Sequence, residues 1–286
     1  MSLAERSHIL LRFSLLGSGS SGNSMLVASP DSKVLIDNGF SLKELQARIA
    51  GVGETLEGLK ALFVTHEHSD HVKGIGILAR RLGVPVYMTP KTYENLPESV
   101  GELSRVELFE SGESVTIDGL TLASFNVCHD AADPVSFVVQ SKGVKLGLAA
   151  DLGHAPRYVK QRLEGSHALI LESNHCPDML HRGSYPPALK QRIRGRYGHL
   201  SNVDMTSLLA SLLHDALQIV VLVHLSRENN SPDLAHKMAA DVLKGHRAEL
   251  YVAHQDVPTP LFAIRSGAFP SEPPRGGAFL AEPPRR

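Results

Sequence analysis

Six consecutive residues, His66-Glu67-His68-Ser69-Asp70-His71, bring three imidazoles and two carboxylates into a very short length of chain. Imidazole and carboxylate are the usual oxygen and nitrogen donors for Zn²⁺ and Mn²⁺. The run follows ALFVT (61–65), an apolar segment that reads as a buried strand. Residues i and i+2 leaving a strand point the same way, so His66 and His68 can grip one ion. Asp70 and His71, where the chain turns into a helix, can face a second. One loop does not complete such a site. His129 ends the strand-like run LTLASFNV, Asp151 ends KLGLAAD, and His224 nearly ends QIVVLV, each where apolar sequence gives way to polar. Together they complete two ions: His66, His68 and His129 on the first, Asp70, His71 and His224 on the second, with Asp151 bridging. No thiolate is among them, which suits a catalytic centre with two divalent ions, Zn or Mn, better than a closed structural zinc.

These residues must be held by a frame of alternating strands and helices. ILLRFSLLG (9–17), SMLVAS (24–29) and KVLID (33–37) read as strands; SLKELQARIAGV reads as a helix with Ser41 as its N-cap, and VKGIGILARRLG as another. Strands are expected at 114–117, 120–127, 135–140, 145–151, 167–173, 218–225 and 249–254, with helices over 203–214 and 232–244. The pattern is α/β: two sheets covered by helices, in one domain (1–264) whose halves repeat the same element order. Beyond it, GAFPSEPPR (267–275) recurs as GAFLAEPPR (277–285), and this Pro/Gly-rich tail (265–286) is expected to be disordered.

Composition excludes several classes. With 29 Lys and Arg against 30 Asp and Glu, no overall field draws the 286-residue chain to nucleic acid, so any such binding needs a local groove. Two cysteines build no disulfide framework, and a reducing, cytoplasmic setting is expected. No apolar run is long enough to span a membrane. Fifteen histidines are the compositional excess, and five of them are ligand candidates.

The order LIDNG, T-H-E-H-S-D-H, a lone His, A-A-D-L-G and a last His resembles the metallo-β-lactamase superfamily. LLGSGSSGNS (15–24), LESNHCPDML (171–180), GRYGHLSN (195–202) and HLSRENN (224–230) are similar to its YycJ/WalJ-type branch. The resemblance implies a four-layer αββα sandwich with a dinuclear site at one edge. It also implies a DNA exonuclease acting from the 5′ end, related to ribonucleases J and Z. In such an enzyme a metal-activated hydroxide, oriented by Asp70, attacks a phosphodiester. Ribonuclease activity, or hydrolysis of a thioester, lactone or small cyclic phosphodiester on the same scaffold, is the alternative, and a metal-edged binding module the reading from another class. Two departures stand out: Cys176 replaces the Asp that usually follows the His of the SNH segment, and the large inserted domain of ribonuclease J is missing. The sequence does not fix oligomeric state.

Other residues take supporting roles. By the resemblance, Asp37, closing KVLID, props the histidine loop; by local sequence alone it could equally be a strand-end cap. His175 and His199, each in a polar segment, are candidates to bind phosphate or protonate a leaving group. GSGSSGNS, with Ser21 and Asn23, could cradle a phosphate or form a plain hairpin loop. Lys190, Arg192, Arg194 and Arg196 form either a phosphate-backbone groove or a solvated helix face. Ser226 and Asn229 could reach substrate or cap the next helix.

Overall fold

The computed structural model describes residues 9–265. Its strands are β1 (Ile9–Gly17), β2 (Ser24–Ala28), β3 (Lys33–Ile36), β4 (Leu59–Phe63), β5 (Val86–Met88), β6 (Val106–Leu108), β7 (Ser114–Ile117), β8 (Leu120–Asn126), β9 (Val135–Ser141), β10 (Val144–Ala149), β11 (Ala168–Glu172), β12 (Ile219–Val223), β13 (Glu249–Val252) and β14 (Phe262–Arg265). The helices are α1 (Leu42–Gly51), α2 (Ser69–Val72), α3 (Ile75–Leu82), α4 (Pro90–Glu94), α5 (Arg157–Leu163), α6 (Pro177–Arg182), α7 (Pro187–Ile193), α8 (Asn202–Leu212) and α9 (Pro232–Val242).

The strands form two seven-stranded sheets, β14-β1-β2-β3-β4-β5-β6 and β13-β12-β11-β10-β9-β8-β7. Each begins with antiparallel pairings and ends with parallel ones: β3–β4–β5–β6 in the first, β10–β11–β12–β13 in the second. The halves therefore do repeat one plan, except that β14 returns to pair with β1 in the first sheet.

Side-chain alternation builds the layers. On β3, Val34 and Ile36 enter the core between the sheets while Leu35 packs under the helices with Leu45, Ile49, Ile75 and Leu78. On β11, Ala168 and Ile170 face the inter-sheet core, whereas Leu169 and Leu171 meet Val159, Met205, Leu209 and Ala235 of α5, α8 and α9. Three apolar cores thus separate four layers, the αββα sandwich. Ser41 caps α1 as expected, accepting from Glu44 N–H at 3.3 Å.

Three differences from the sequence expectation have local causes. The helix expected over VKGIGILARRLG is two pieces: α2 is a single turn, and α3 restarts after Gly74. Gly74 cannot carry a side chain, because a Cβ would stand 1.9 Å from Phe40 O. Second, β5 and β6 span three residues each, too short for a periodic signal. Third, Arg265, assigned by sequence to the tail, ends β14 and pairs with Ile9; the rest of the expected tail lies outside the described residues. No helix among the described residues is long and apolar enough to cross a membrane.

Candidate active site

The C-terminal ends of β3, β4, β8, β10, β11 and β12 lie at one edge of the sandwich and deliver Asp37, His66 to His71, His129, Asp151, Glu172 and His224 to one place. Three of these, Asp37, Asp151 and His224, have left-handed backbone (φ 58°, 53° and 57°), turning the chain sharply as each strand ends.

Four of the five ligand-candidate rings, those of His66, His71, His129 and His224, are held through the nitrogen that faces away from the cluster. Asp37 Oδ2 accepts from His71 Nδ1 at 2.8 Å and from Thr65 Oγ1 at 2.7 Å, and Thr65 Oγ1 in turn lies 3.0 Å from His66 Nδ1. His129 Nδ1 donates to Gly198 O at 3.2 Å, and His224 Nδ1 to Glu172 Oε1 at 3.2 Å. A partner on one ring nitrogen fixes the tautomer and aims the other at the ion.

The aimed atoms stand at ligand spacing. Two donors roughly 2.1 Å from one ion at a tetrahedral angle lie about 3.4 Å apart. His66 Nε2 and His68 Nδ1 are 3.1 Å apart, and His129 joins them in one group. His71 Nε2 lies 3.6 Å from Asp70 Oδ2 and 3.5 Å from Asp151 Oδ2, while His224 Nε2 lies 3.4 Å from Asp151 Oδ1. His224 Nε2 is buried without a hydrogen-bond partner, an atom whose desolvation is left uncompensated unless a cation meets it.

Electrostatics agree with a cation site. Burial holds the His66 ring well below the ordinary histidine range and lowers His129, keeping both in the neutral, metal-binding form. Burial also opposes charge on His71 and His224, yet Asp37, Asp151 and Asp70 push His71 up to about 9, and Asp151 with Glu172 pushes His224 up to about 10. Burial likewise resists charge on Asp151, but His224 and His71 hold it well below the usual carboxylate range. The carboxylates therefore draw positive charge onto the nitrogens expected to bind the second ion. All seven expected ligands are brought together, and the donor set fits a divalent metal.

The most informative residue that the sequence reading missed is Glu172. It is fully buried at the end of β11, and its Oε1 accepts from His199 Nδ1 at 2.7 Å and from His224 Nδ1, while Oε2 accepts from Leu152 N–H at 2.9 Å. Its position, last in the apolar run ALILE, is the signal: a carboxylate ending a buried strand must have a purpose. Asp151, Glu172, His199 and His224 could by distance form an ion site of their own. Glu172 engages the outward Nδ1 atoms of both histidines, however, which is the position of a carboxylate supporting imidazoles.

A cleft of about 400 Å³ adjoins the cluster, lined by Ser21, Asp130, Tyr185, Arg192, His199, His224, Ser226 and Arg227 among others. It brings Ser21, Arg192, Ser226 and His199 together as expected. Several candidates fall elsewhere. His175 is 3 % exposed, in a segment bridged to Ser201, and does not line the cleft. Asn229 is 1 % exposed and lodged against Gly183, so it reaches neither substrate nor the helix cap, which Ser231 supplies. Asn23 holds ligands in place of substrate, with Nδ2 3.0 Å from Asp70 Oδ2 and 2.9 Å from His71 Nε2. Of the basic run only Arg192 lines the cleft, paired with Asp130. Lys190 donates to His181 O, Arg196 lies against His154, and neither they nor Arg194 line it, because the run winds around α7 and the turn after it.

Comparison with known proteins agrees with this geometry. The pattern of a β-lactamase superfamily domain matches residues 32–225. The chain is 34 % identical over 259 residues to exodeoxyribonuclease YycJ of Bacillus anthracis, covering 88 % of this chain and 98 % of that relative. It is 35 % identical over 268 residues to exodeoxyribonuclease WalJ of Streptococcus pneumoniae, covering 90 % and 100 %. The metallo-β-lactamase fold protein YhfI of Bacillus subtilis superposes with a TM-score of 0.65 at 17 % identity, covering 87 % of this chain and 98 % of that one, a likeness of fold.

Proposed function

The chain belongs to the β-lactamase superfamily and is a metal-dependent hydrolase, and from that premise we propose that it is a DNA exonuclease acting from the 5′ end through two divalent ions, zinc or manganese. His66, His68 and His129 would hold one ion and Asp70, His71 and His224 the other, with Asp151, 3.5 Å from His71 and 3.4 Å from His224, available to either. Bound there, the ions supply Lewis-acid polarisation of the phosphoryl group and a water of lowered pKa.

The chain's own residues do the rest. Asp70, whose side chain is 23 % exposed at the cluster and held by Asn23, accepts a proton from the attacking water and orients it. Arg192, paired with Asp130, and Arg227, paired with Asp256, both line the cleft and would meet the negative charge that develops on phosphorus. The observation that carries the reading is the Glu172–His199 pair. A 3′ alkoxide is a poor leaving group unless a proton reaches it. With Nδ1 held by Glu172, His199 lines the cleft with Nε2 as the atom left to hand a proton to the leaving oxygen. The products carry 5′ phosphates. The likeness to exodeoxyribonucleases supports DNA as substrate. Both cysteines are free thiols, which suits a cytoplasmic setting.

The test is a panel of 5′- and 3′-labelled duplex DNA, single-stranded DNA, RNA and a nitrophenyl ester, with Mn²⁺ and Zn²⁺ compared and EDTA as control. Stepwise release of mononucleotides from the 5′ end of DNA is expected. Turnover of the ester with DNA left intact would overturn the assignment.

A further inference from the structure

Beside the cleft, the segments after β8 and β10 and the turn after α7 are welded into one shelf. Gly153, two residues past Asp151, packs so tightly on the turn after α7 that a Cβ there would stand 2.4 Å from Gly195 O and from Arg196 C. Its N–H donates to Cys128 O at 2.8 Å, next to the ligand His129. His154 Nδ1 lies 3.3 Å from Arg196 O and Nε2 3.3 Å from Arg196 Nη2, and the Tyr158 hydroxyl donates to Asn126 O at 3.1 Å. None of this packing involves a metal ligand's side chain, so the mechanism leaves the shelf without a task.

Its outer surface has an unusual composition. Tyr158 is 41 % exposed and Tyr197 is 64 % exposed, two of the three exposed large rings among the described residues. Arg157, Arg194 and Arg196 are also exposed, and among the described residues none of the three forms an ion pair. In a chain of net charge -1 this is a local concentration of uncompensated cations interleaved with aromatic faces, two residues from His199. Guanidinium groups meet phosphates, and tyrosine rings stack on bases regardless of sequence. Stacking on a protein ring requires a base that is not already inside a duplex.

We propose that this shelf, Arg157–Tyr158 with Arg194, Arg196 and Tyr197, is a binding track for an unpaired polynucleotide strand entering or leaving the cleft. The proposal rests on the nuclease reading and adds where the strand runs and that it runs unpaired. A duplex substrate then has to separate locally beside the metal cluster.

The test uses the full, metal-loaded chain in a His199→Ala background, which keeps every proposed metal ligand and slows cutting, and fluorescence anisotropy with a labelled single strand and a blunt duplex of the same sequence. The Tyr158→Ala/Tyr197→Ala variant is expected to lose about tenfold in single-strand affinity per ring, with duplex affinity within about twofold and Tyr→Phe restoring the loss. Unchanged single-strand affinity, or equal losses on both forms, overturns the track. In the active chain, turnover of bis(p-nitrophenyl) phosphate and of DNA is followed in parallel. Hydrolysis of neither substrate defeats the nuclease reading itself; hydrolysis of both with strand affinity unaltered in the double variant defeats the track alone.

Discussion

Replacing Glu172 with Gln separates the proton-donor role of His199 from metal binding. The substitution keeps the shape of a fully buried side chain and removes its charge. Glu172 Oε1 accepts from two imidazoles, at 2.7 Å and 3.2 Å, and Oε2 from Leu152 N–H. A carboxamide has only one acceptor oxygen, so either the imidazoles or Leu152 N–H must face an NH₂ group. Each charge-assisted bond lost costs about 1.5–3 kcal/mol, and the donor left facing a donor about 1–3 kcal/mol more. General-acid catalysis contributes roughly 10²–10⁴-fold, and that is the expected loss of DNA turnover. Because Glu172 also supports His224, metal affinity should fall about 10–100-fold, so the assay is run at saturating metal. The decisive comparison is between DNA, whose leaving alkoxide needs a proton, and a nitrophenyl phosphodiester, whose nitrophenolate leaves without one. Nitrophenyl turnover is expected to fall by no more than about tenfold. Equal losses on the two substrates at saturating metal would refute the proton-donor assignment and make Glu172 a metal-site support only.

Gly39→Ala would place a Cβ 1.9 Å from Asp70 O, backbone against backbone, and should cost about 3 kcal/mol or more, lowering Tm by roughly 6–12 °C and loosening metal binding; a wild-type melt would refute the clash. His71 and His224, raised to about 9 and 10 by their carboxylates, stabilise the metal-free fold fully below about pH 6.5, and this contribution is lost as pH rises through 9–10. The EDTA-treated protein should therefore lose Tm over that window, and metal binding at pH 8 should release about two protons, measurable by calorimetry in buffers of different ionisation enthalpy. Asp70→Ala or His68→Ala should abolish nuclease activity while thermal unfolding stays cooperative, and full activity in either variant would remove that residue from the site. DNA turnover should fall steeply between low and physiological salt, because phosphate contacts are made by a few local cations; salt independence would favour an ester substrate.

The ligand candidates were legible in the sequence because His66, His129, Asp151 and His224 follow apolar runs, as strand ends at one sheet edge do, and His68, Asp70 and His71 share the dense motif that His66 begins. The supporting groups were harder to read, for physical reasons. Glu172 looks like the polar end of a strand until the fold places His199 and His224 on either side of one oxygen. Asn23 sits in a run of glycines and serines that suggests a phosphate cradle, and only the third dimension shows its amide against Asp70 and His71. The basic run was visible as charge, but charge density along a chain does not say which way each residue faces. Around α7 and the turn after it, Arg192 meets the cleft while Arg196 lies against His154. The strands β5 and β6 escaped because three residues carry no period, and β14 because its partner β1 is at the opposite end of the chain.

The backbone carries a separate record of where the function lies. Among the described residues, five other than glycine have a positive φ: Asp37, Asp118, Lys142, Asp151 and His224. Asp118 and Lys142 are explained by topology, since each precedes a positive-φ glycine in the tight turn of a hairpin, β7–β8 or β9–β10, where the turn demands that geometry. The other three occupy no hairpin turn. Asp37 and His224 come directly after β3 and β12, and Asp151 comes two residues after β10, each turning at the residue cluster. A non-glycine residue in this region costs of order 1 kcal/mol or more and persists only where its surroundings over-determine it. Here the surroundings do so: Asp37 accepts from Thr65 N–H, Thr65 Oγ1 and His71, and His224 N–H donates to Ser18 Oγ while its ring is held by Glu172. Asp and His are among the residue types that tolerate the left-handed region best, so the side chains gathered at the cluster are also ones that these turns accept. The strain is thus the means by which flat strand ends, whose side chains would otherwise point up and down, are turned to converge on one point.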